Sequence, residues 1–358
     1  MIGKNKLCIS ILIVVLLITL VLCSSQTVFA KDAKYTIRVA FMDPPDPMGQ
    51  VMAAFWAVFK DKVEAFTGGE VEVQLFPSGQ LGNDVQMYRE VKAGNIEMSN
   101  AGAGSLGSAM YPPISIFELP FLFPDNKIAI DVLTLDNPFV KELVEGLKKE
   151  TGVGIIAVIP QSFRNLTNNV RPIKTLDDLK GLKIRTQQIP AHMKMIEAAG
   201  AQAVPIAYTE LYTSLQTGVV DGQENPLSNI VAMHFHEVQK YLTLSKHAIN
   251  CPVPIYNVKW FESLPNDIQR KIMKAAEAAK ISSSGMSHIH DVVNLGKVKE
   301  AGVEVYVPGP EELAEFKKIM QPDALELFKN QIKGGAELLS KLEKEIEKAE
   351  KRYENLIY

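Results

Sequence analysis

The sequence predicts an α/β fold in two similar lobes, and three observations carry that prediction. Thr36–Phe41 alternates as a strand, Met48–Phe66 follows as a helix stopped by Gly68-Gly69, and Val71–Phe76 reads as the next strand. A strand–helix–strand opening implies parallel pairing with helices on the sheet faces. Next, Met87–Glu97 and Leu211–Asp221 share a helix end, a Gly stop and a short acidic-tailed strand at identical spacing. Only Tyr and Gly are identical between them, yet two related lobes would produce this pattern. Finally, Arg164, Arg185 and Asn225 stand where strand-like runs end, in apolar company. Open α/β sheets bind ligands at the carboxyl ends of their strands.

At the start of the chain, Lys4 and Lys6 precede an apolar run from Cys8 to Leu22, the charged and apolar regions of a secretory signal. That run is shorter than the roughly 20 residues of a membrane span. Val28-Phe29-Ala30 offers the small residue that cleavage prefers, so residues 1–30 read as a signal peptide and the exported chain as beginning near Lys31. Cys23 is a competing lipid-attachment site, ranked second because Leu22 is large for the position before it. Of Cys8, Cys23 and Cys251, only Cys251 survives such cleavage, and one thiol forms no internal disulfide.

Removing 30 of 358 residues leaves 328, enough for two domains. It also removes two of the 38 basic residues, leaving 36 against 41 acidic ones, a net charge of −5. That balance argues against nucleic acid or an anionic membrane surface as partner. An anionic ligand needs only local positive charge.

Asp43-Pro44-Pro45-Asp46-Pro47 breaks the first strand into a loop, and the stripe Val51, Ala54, Phe55, Val58, Phe59 reads as core. Gly102-Ala103-Gly104-Ser105-Leu106-Gly107 matches G-x-G-x-x-G formally, but Pro112-Pro113 cuts short the helix on which that motif depends. A nucleophile elbow around Ser105 fails because Ala103 occupies its first Gly position. Small residues here are expected to let the backbone approach a ligand. His234/His236 and His288/His290 are two apart, so on a helix neither pair converges on one ion. His192 and His247 read equally well as structural residues.

The stretch Gln161–Pro226 is the informative one. An Arg at a strand end is commonly a surface ion pair, but the intervening chain places these residues at junctions. Thr175-Leu176-Asp177-Asp178 has capping-box spacing, and Gly181 can stop its short helix before the strand Leu182–Arg185. Pro190–Ala199 is the next helix, and Thr209 caps a third that Gly218 ends. Arg185, Tyr208 and Asn225 therefore fall at strand–helix junctions. Two arginines and an amide so placed suit a small organic anion, because a guanidinium meets a carboxylate with two parallel charge-assisted hydrogen bonds.

These residues also resemble a known family. Arg164-Asn165-Leu166-Thr167-Asn168, Leu179–Arg185 and above all Leu211–Pro226 are similar to the signature blocks of the solute-binding proteins of TRAP transporters, the DctP family, and the resemblance covers nearly all of the chain after about Thr36. It implies a two-lobed periplasmic-binding-protein fold with a hinge, a long helix spanning both lobes and C-terminal helices. It implies no cofactor and no catalysis, and a carboxylate held in the interlobe cleft. By resemblance Arg185 forms the principal salt bridge, Arg164 and Asn225 support it, Tyr208 supplies an aromatic wall and Gln188 a polar contact. Gln161 and Asn100 stand at strand ends facing the same cleft. The partners implied are the small and large subunits of a membrane permease, with the binding protein a monomer. A dicarboxylate, another carboxylate and a sugar acid all remain open as ligands. The alternative is an exported enzyme acting on an organic acid, which would need a nucleophile, base or cofactor loop that the sequence does not assemble.

Beyond Pro265 a long helical pattern runs to about Glu300, weakest at Ser282-Ser283-Ser284-Gly285. Helices follow Pro308-Gly309-Pro310, interrupted by Pro322 and Gly334-Gly335. In the last, Leu338, Leu339, Leu342, Ile346, Ala349 and Tyr353 recur at helical spacing and are expected to pack on the body. Lobe I is expected over residues 31–161 and about 251–285, and lobe II over 162–250 and about 286–358, including the C-terminal helices.

Overall fold

The computed structural model describes residues 33–355, so the expected signal segment, Cys8 and Cys23 lie outside it. Strands β1 (Tyr35–Ala40), β2 (Val71–Phe76), β3 (Met98–Gly102) and β4 (Val153–Ile155) form one sheet. Strands β5 (Phe163–Asn168), β6 (Lys183–Thr186), β7 (Gln202–Pro205), β8 (Gly222–Asn225) and β9 (Tyr241–Ile249) form a second. The chain then returns to the first sheet as β10 (Pro252–Asn257) and to the second as β11 (Glu304–Tyr306).

The spatial orders are β2-β1-β3-β10-β4 and β11-β9-β5-β8-β6-β7. In the first, β2, β1 and β3 run parallel and β10 lies antiparallel against β3. In the second, β7, β6 and β8 run parallel and β5 lies antiparallel against β8. The repeat read from the sequence is therefore architectural: β3 and β8 hold the same place in the two sheets. The helices before them, Asp84–Ala93 and Leu211–Gln216, are followed by Gly94 at φ +80° and Gly218 at φ +72°. A side chain in that left-handed conformation is strained, which is why both stops are glycine.

Helix Val51–Thr67 buries Val51, Phe55, Trp56 and Phe59 against the long helix Asn266–Glu300, which runs unbroken through Ser282–Gly285. The long helix contributes Ile268, Ile272 and Ala279 to the apolar cluster of the first lobe and Val298 to one in the second. It thus spans both lobes.

Three helices close the described chain. Pro310–Met320 buries Phe316 and Met320 with Leu166 and Ile184 of the second sheet. Helix Gly335–Glu354 instead buries Leu339, Leu342, Ile346 and Ala349 with Val140, Leu143 and Leu147 of helix Pro138–Thr151 in the first lobe. Lys341 pairs with Glu142 at 3.0 Å and Asn137 donates to Glu345 at 3.2 Å. The expectation that residues 286–358 stay with lobe II is thus corrected for this last helix. In the first lobe the terminal helix packs most closely on helix Asn126–Val132, whose Ile128, Ala129 and Val132 are buried in the same cluster.

Candidate functional site

Between the two sheets lies a cleft of two joined chambers. The outer, about 510 Å³, is lined by Asp84 and Arg89 on one side and Arg185, Gln188 and Tyr208 on the other. The inner, about 60 Å³, is lined by Asp43, Asn100, Gln161, Arg164, Asn225 and Asn250. Met42, Asp84, Gln187 and Tyr208 line both. All seven residues singled out in the sequence therefore face one cleft. A larger groove of about 660 Å³, around Arg270 and Lys280, lies on lobe I away from these strand ends.

Strand direction explains the convergence. Arg185 and Asn225 stand at the carboxyl ends of β6 and β8, which run parallel. Arg164 is instead the second residue of β5, not the last of a strand, and reaches the cleft because β5 is antiparallel to β8, with Asn165 opposite Asn225.

The two arginines differ in what holds them. Arg164 is buried and saturated: Nε and Nη2 donate to the Glu224 carboxylate, Nη2 also to the Glu224 carbonyl at 2.6 Å and Asn225 Oδ1 at 3.0 Å, and Nη1 to Asn250 Oδ1 at 2.8 Å. Glu224 in turn lies 3.2 Å from His247 Nε2. Burial alone would push Glu224 up, but the Arg164 charge and the His247 hydrogen bond hold it below the usual carboxylate range. This buried ion pair is internally neutral.

Arg185 is equally buried, at 1 % exposure, but has no carboxylate partner among the described residues. Nε and Nη2 both donate to the Ile206 carbonyl, at 2.9 and 2.7 Å, while Nη1 meets no acceptor among the described residues. Burial lowers this guanidinium to about 10, with only partial support from the more distant Glu224. A buried cation with an idle donor is costly unless an anion completes it.

Tyr208 forms the wall beside it. Its ring lies 6.0 Å from the Arg185 guanidinium and meets Phe235 edge-on at 6.0 Å, while its hydroxyl accepts from Asn229 Nδ2 at 2.9 Å. Gln161 donates to Ser228 Oγ at 2.9 Å and accepts from Asn250 at 3.0 Å, so its amide is engaged by protein. Asn225 spends its own amide on Gln223. Asn100 keeps a buried Oδ1 without a donor, and Gln188 is exposed at the mouth.

Four site groups escaped sequence reading: Glu224, Asn250, Asp43 and Asp84. Glu224 lay inside a quoted block, but its partner Arg164 is 60 positions away, and nothing local reveals such a pair. Burial raises Asp43 to about 6, and burial together with the Asp43 charge raises Asp84 to about 6 against the pull of Arg185.

This gives a pH prediction. Asp43 has an ordinary value of 3.8 and a folded one of about 6, so between them the folded chain holds the extra proton. Stability should therefore fall as pH rises from about 4 to about 6 and stay lower above, by at most about 3 kcal/mol at 1.36 kcal/mol per unit. Asp43→Asn should reduce the slope over this stretch, with Asp84 keeping the remainder, and raise the ligand-free melting temperature at pH 7.5. Melting curves that keep the wild-type pH dependence in the variant would refute the assignment.

The helix after β3, Ala103–Ala109, is short and ends before Pro112-Pro113, as expected; the expectation that small residues here admit a ligand is corrected at Gly104 and Gly107, where a Cβ would meet Glu118 Oε2 and Ile189 Cδ1 at 2.6 Å and the Ser115 Cβ at 2.7 Å. Thr209 caps nothing, since a 3-10 turn, Tyr208–Glu210, runs straight into the next helix. The Thr175 capping box is present but opens only the single turn Leu176–Leu179. His192 Nε2 lies 2.9 Å from the Glu118 carbonyl, and no His, Cys, Asp and Glu cluster suited to a metal exists among the described residues.

Known proteins share this fold over most of the chain. Residues 46–331 match the family model DctP, bacterial extracellular solute-binding protein, family 7. The 2,3-diketo-L-gulonate-binding periplasmic protein YiaO of Escherichia coli is 32 % identical over 286 residues, covering 78 % of this chain and 84 % of that protein. A TRAP periplasmic solute-binding protein from Desulfovibrio salexigens, solved with bound orotic acid, is 33 % identical with a TM-score of 0.83, covering 88 % of this chain and all of the other. The sugar acid binding protein DctPAm from Advenella mimigardefordensis, in complex with galactonate, is 32 % identical with a TM-score of 0.83 over 89 % of this chain and 100 % of its own. With a two-sheet cleft, an unpaired buried arginine at its centre and this match over most of its length, the chain belongs to the DctP family of bacterial extracellular solute-binding proteins, which bind solutes for TRAP transport rather than transform them.

Proposed function

We propose that this chain captures a small organic acid in its interlobe cleft, with the ligand carboxylate on Arg185, and delivers it to the small and large membrane subunits of a TRAP permease. The observation that carries the reading is the idle Nη1 of Arg185, a charged donor at 1 % exposure on a residue lining the cleft. A carboxylate accepting from it would relieve the cost of that buried charge. Orotate, galactonate and 2,3-diketo-L-gulonate, the ligands of the related proteins, are themselves carboxylates.

In this reading Tyr208 walls the ligand, Gln188 and Asn100 contact it, and Arg164, Asn225 and Gln161 build the cleft floor. The mature protein acts as an exported monomer without residues 1–30, free of a lipid on Cys23. Lobe closure turns on the two chain crossings, which are joined by Gln161 N–H to the Asn250 carbonyl at 2.8 Å and Asn250 N–H to the Ser162 carbonyl at 2.9 Å.

Thermal stabilisation against a panel of monocarboxylates, dicarboxylates and sugar acids tests the reading. A true ligand should raise the melting temperature in proportion to log concentration without being consumed. Turnover of any acid in the same solutions, or no stabilisation by any carboxylate, would overturn it.

A further inference from the structure

We propose that Asp43, Asp84 and Asn100 form an acceptor subsite on the first lobe, so that the preferred ligand is a carboxylate whose far end carries hydrogen-bond donors, hydroxyl or ammonium, rather than a second carboxylate. The inference rests on the reading of Arg185 as the carboxylate anchor and adds what the opposite wall selects.

Asp84 lines both chambers, and Asp43 and Asn100 line the inner one beside Arg164 and Tyr208. Among the described residues, no side chain donates to either Asp carboxyl, and neither carboxyl is in a salt bridge; the Asn100 Oδ1 is buried without a donor. The independent observation is across the cleft: Arg185 lines the outer chamber, and its buried Nη1 meets no acceptor among the described residues. The second lobe thus offers an idle donor, and the first lobe acceptors without a side-chain donor, the Asp43 carboxyl meeting only its own backbone N–H.

Their charges fit the same division. Arg164 is neutralised by Glu224, leaving Arg185 as the buried cation free for a ligand, and Asp43 and Asp84 as the anions opposite. Both Asp side chains titrate near 6, so both are ionised at pH 7.5 and can only accept. A ligand hydroxyl or ammonium satisfies them, whereas a second carboxylate is repelled and desolvated against them. The other cation on the walls is Arg89, which is exposed and more than one helical turn beyond Asp84.

Calorimetry at pH 7.5 on the protein without residues 1–30 decides this with chain-matched acids: butyrate, succinate, erythronate and γ-aminobutyrate, then hexanoate, adipate and gluconate. Erythronate, γ-aminobutyrate or gluconate should bind at least about 100-fold more tightly than the matched diacid and the unsubstituted acid, a gap of two decades. The two donor types are separated by which of the first pair wins. Asp84→Asn and Asp43→Asn, each checked for folding by circular dichroism, should narrow the donor-to-diacid ratio at least about tenfold. Succinate or adipate binding as tightly as the donor-bearing acids would overturn the subsite while leaving the Arg185 anchor standing. Diacid binding that disappears in Arg89→Ala would do the same and assign the far wall to Arg89. No acid of the panel binding would overturn the anchor and the subsite together.

Discussion

Arg185→Ala should lower affinity for the best-binding acid by roughly 30-fold to several thousand-fold, the equivalent of about 2–5 kcal/mol for truncating one partner of a buried charge pair. The ligand-free protein should not suffer with it. Arg185 is buried with one donor idle and two on a single carbonyl, so the native state carries its desolvation cost without a counter-ion. Arg185→Met, which keeps length and removes charge, should leave the ligand-free melting temperature equal or higher. Arg185→Lys should recover only part of the affinity, because an ammonium keeps the charge without the planar fork. Calorimetry beside melting curves separates these effects. Wild-type affinity in Arg185→Ala would make the residue structural.

Arg164 should behave in the opposite way. Its donors are engaged with Glu224, Asn225 and Asn250 inside the second lobe, so Arg164→Ala leaves Glu224 buried with His247 as its remaining side-chain partner. Breaking such a pair costs about 3–5 kcal/mol, a large share of the roughly 5–15 kcal/mol that holds a domain folded. A fall of roughly 6–20 °C in melting temperature follows at about 2–4 °C per kcal/mol. Glu224→Gln should fall in the same direction, and the double variant Arg164→Met/Glu224→Met by less than the two single losses together. The pH sign is fixed by the depressed Glu224. Its contribution is complete above the ordinary carboxylate value of 4.5 and is lost as pH falls through its lower folded value. Acid melting curves should therefore steepen in wild type and not in Glu224→Gln. A melting temperature within about 2 °C of wild type in Arg164→Ala would show that the pair carries no stability.

The contrast between these arginines marks where sequence reading stops. Both were legible as charged residues in strand runs, because period-two alternation and Gly stops locate strands within a residue or two. Their division of labour was not, since it depends on Glu224 arriving from a strand 60 positions away and on β5 running antiparallel. Periodicity carries no information on strand direction. Asp43 and Asp84 were hidden for another reason: one sits in a Pro-rich loop and the other in the first turn of a helix, places where acids are ordinary. Only the folding of β1 and β3 beside β6 and β8 turns them toward one cleft. The terminal helix was legible as amphipathic, but which lobe it covers depends on Glu142 and Asn137, some 200 positions earlier.

A crystal structure of the protein with the strongest-binding acid from the panel tests the central claim most directly. The ligand carboxylate should lie in the cleft between the two sheets, at the carboxyl ends of β6 and β8, accepting from Arg185 Nη1 at hydrogen-bond distance, with Tyr208 against the ligand and Arg164 still paired to Glu224. A ligand bound elsewhere, as in the groove around Arg270 and Lys280, or one in the cleft that leaves Arg185 bonded only to the Ile206 carbonyl, would contradict it.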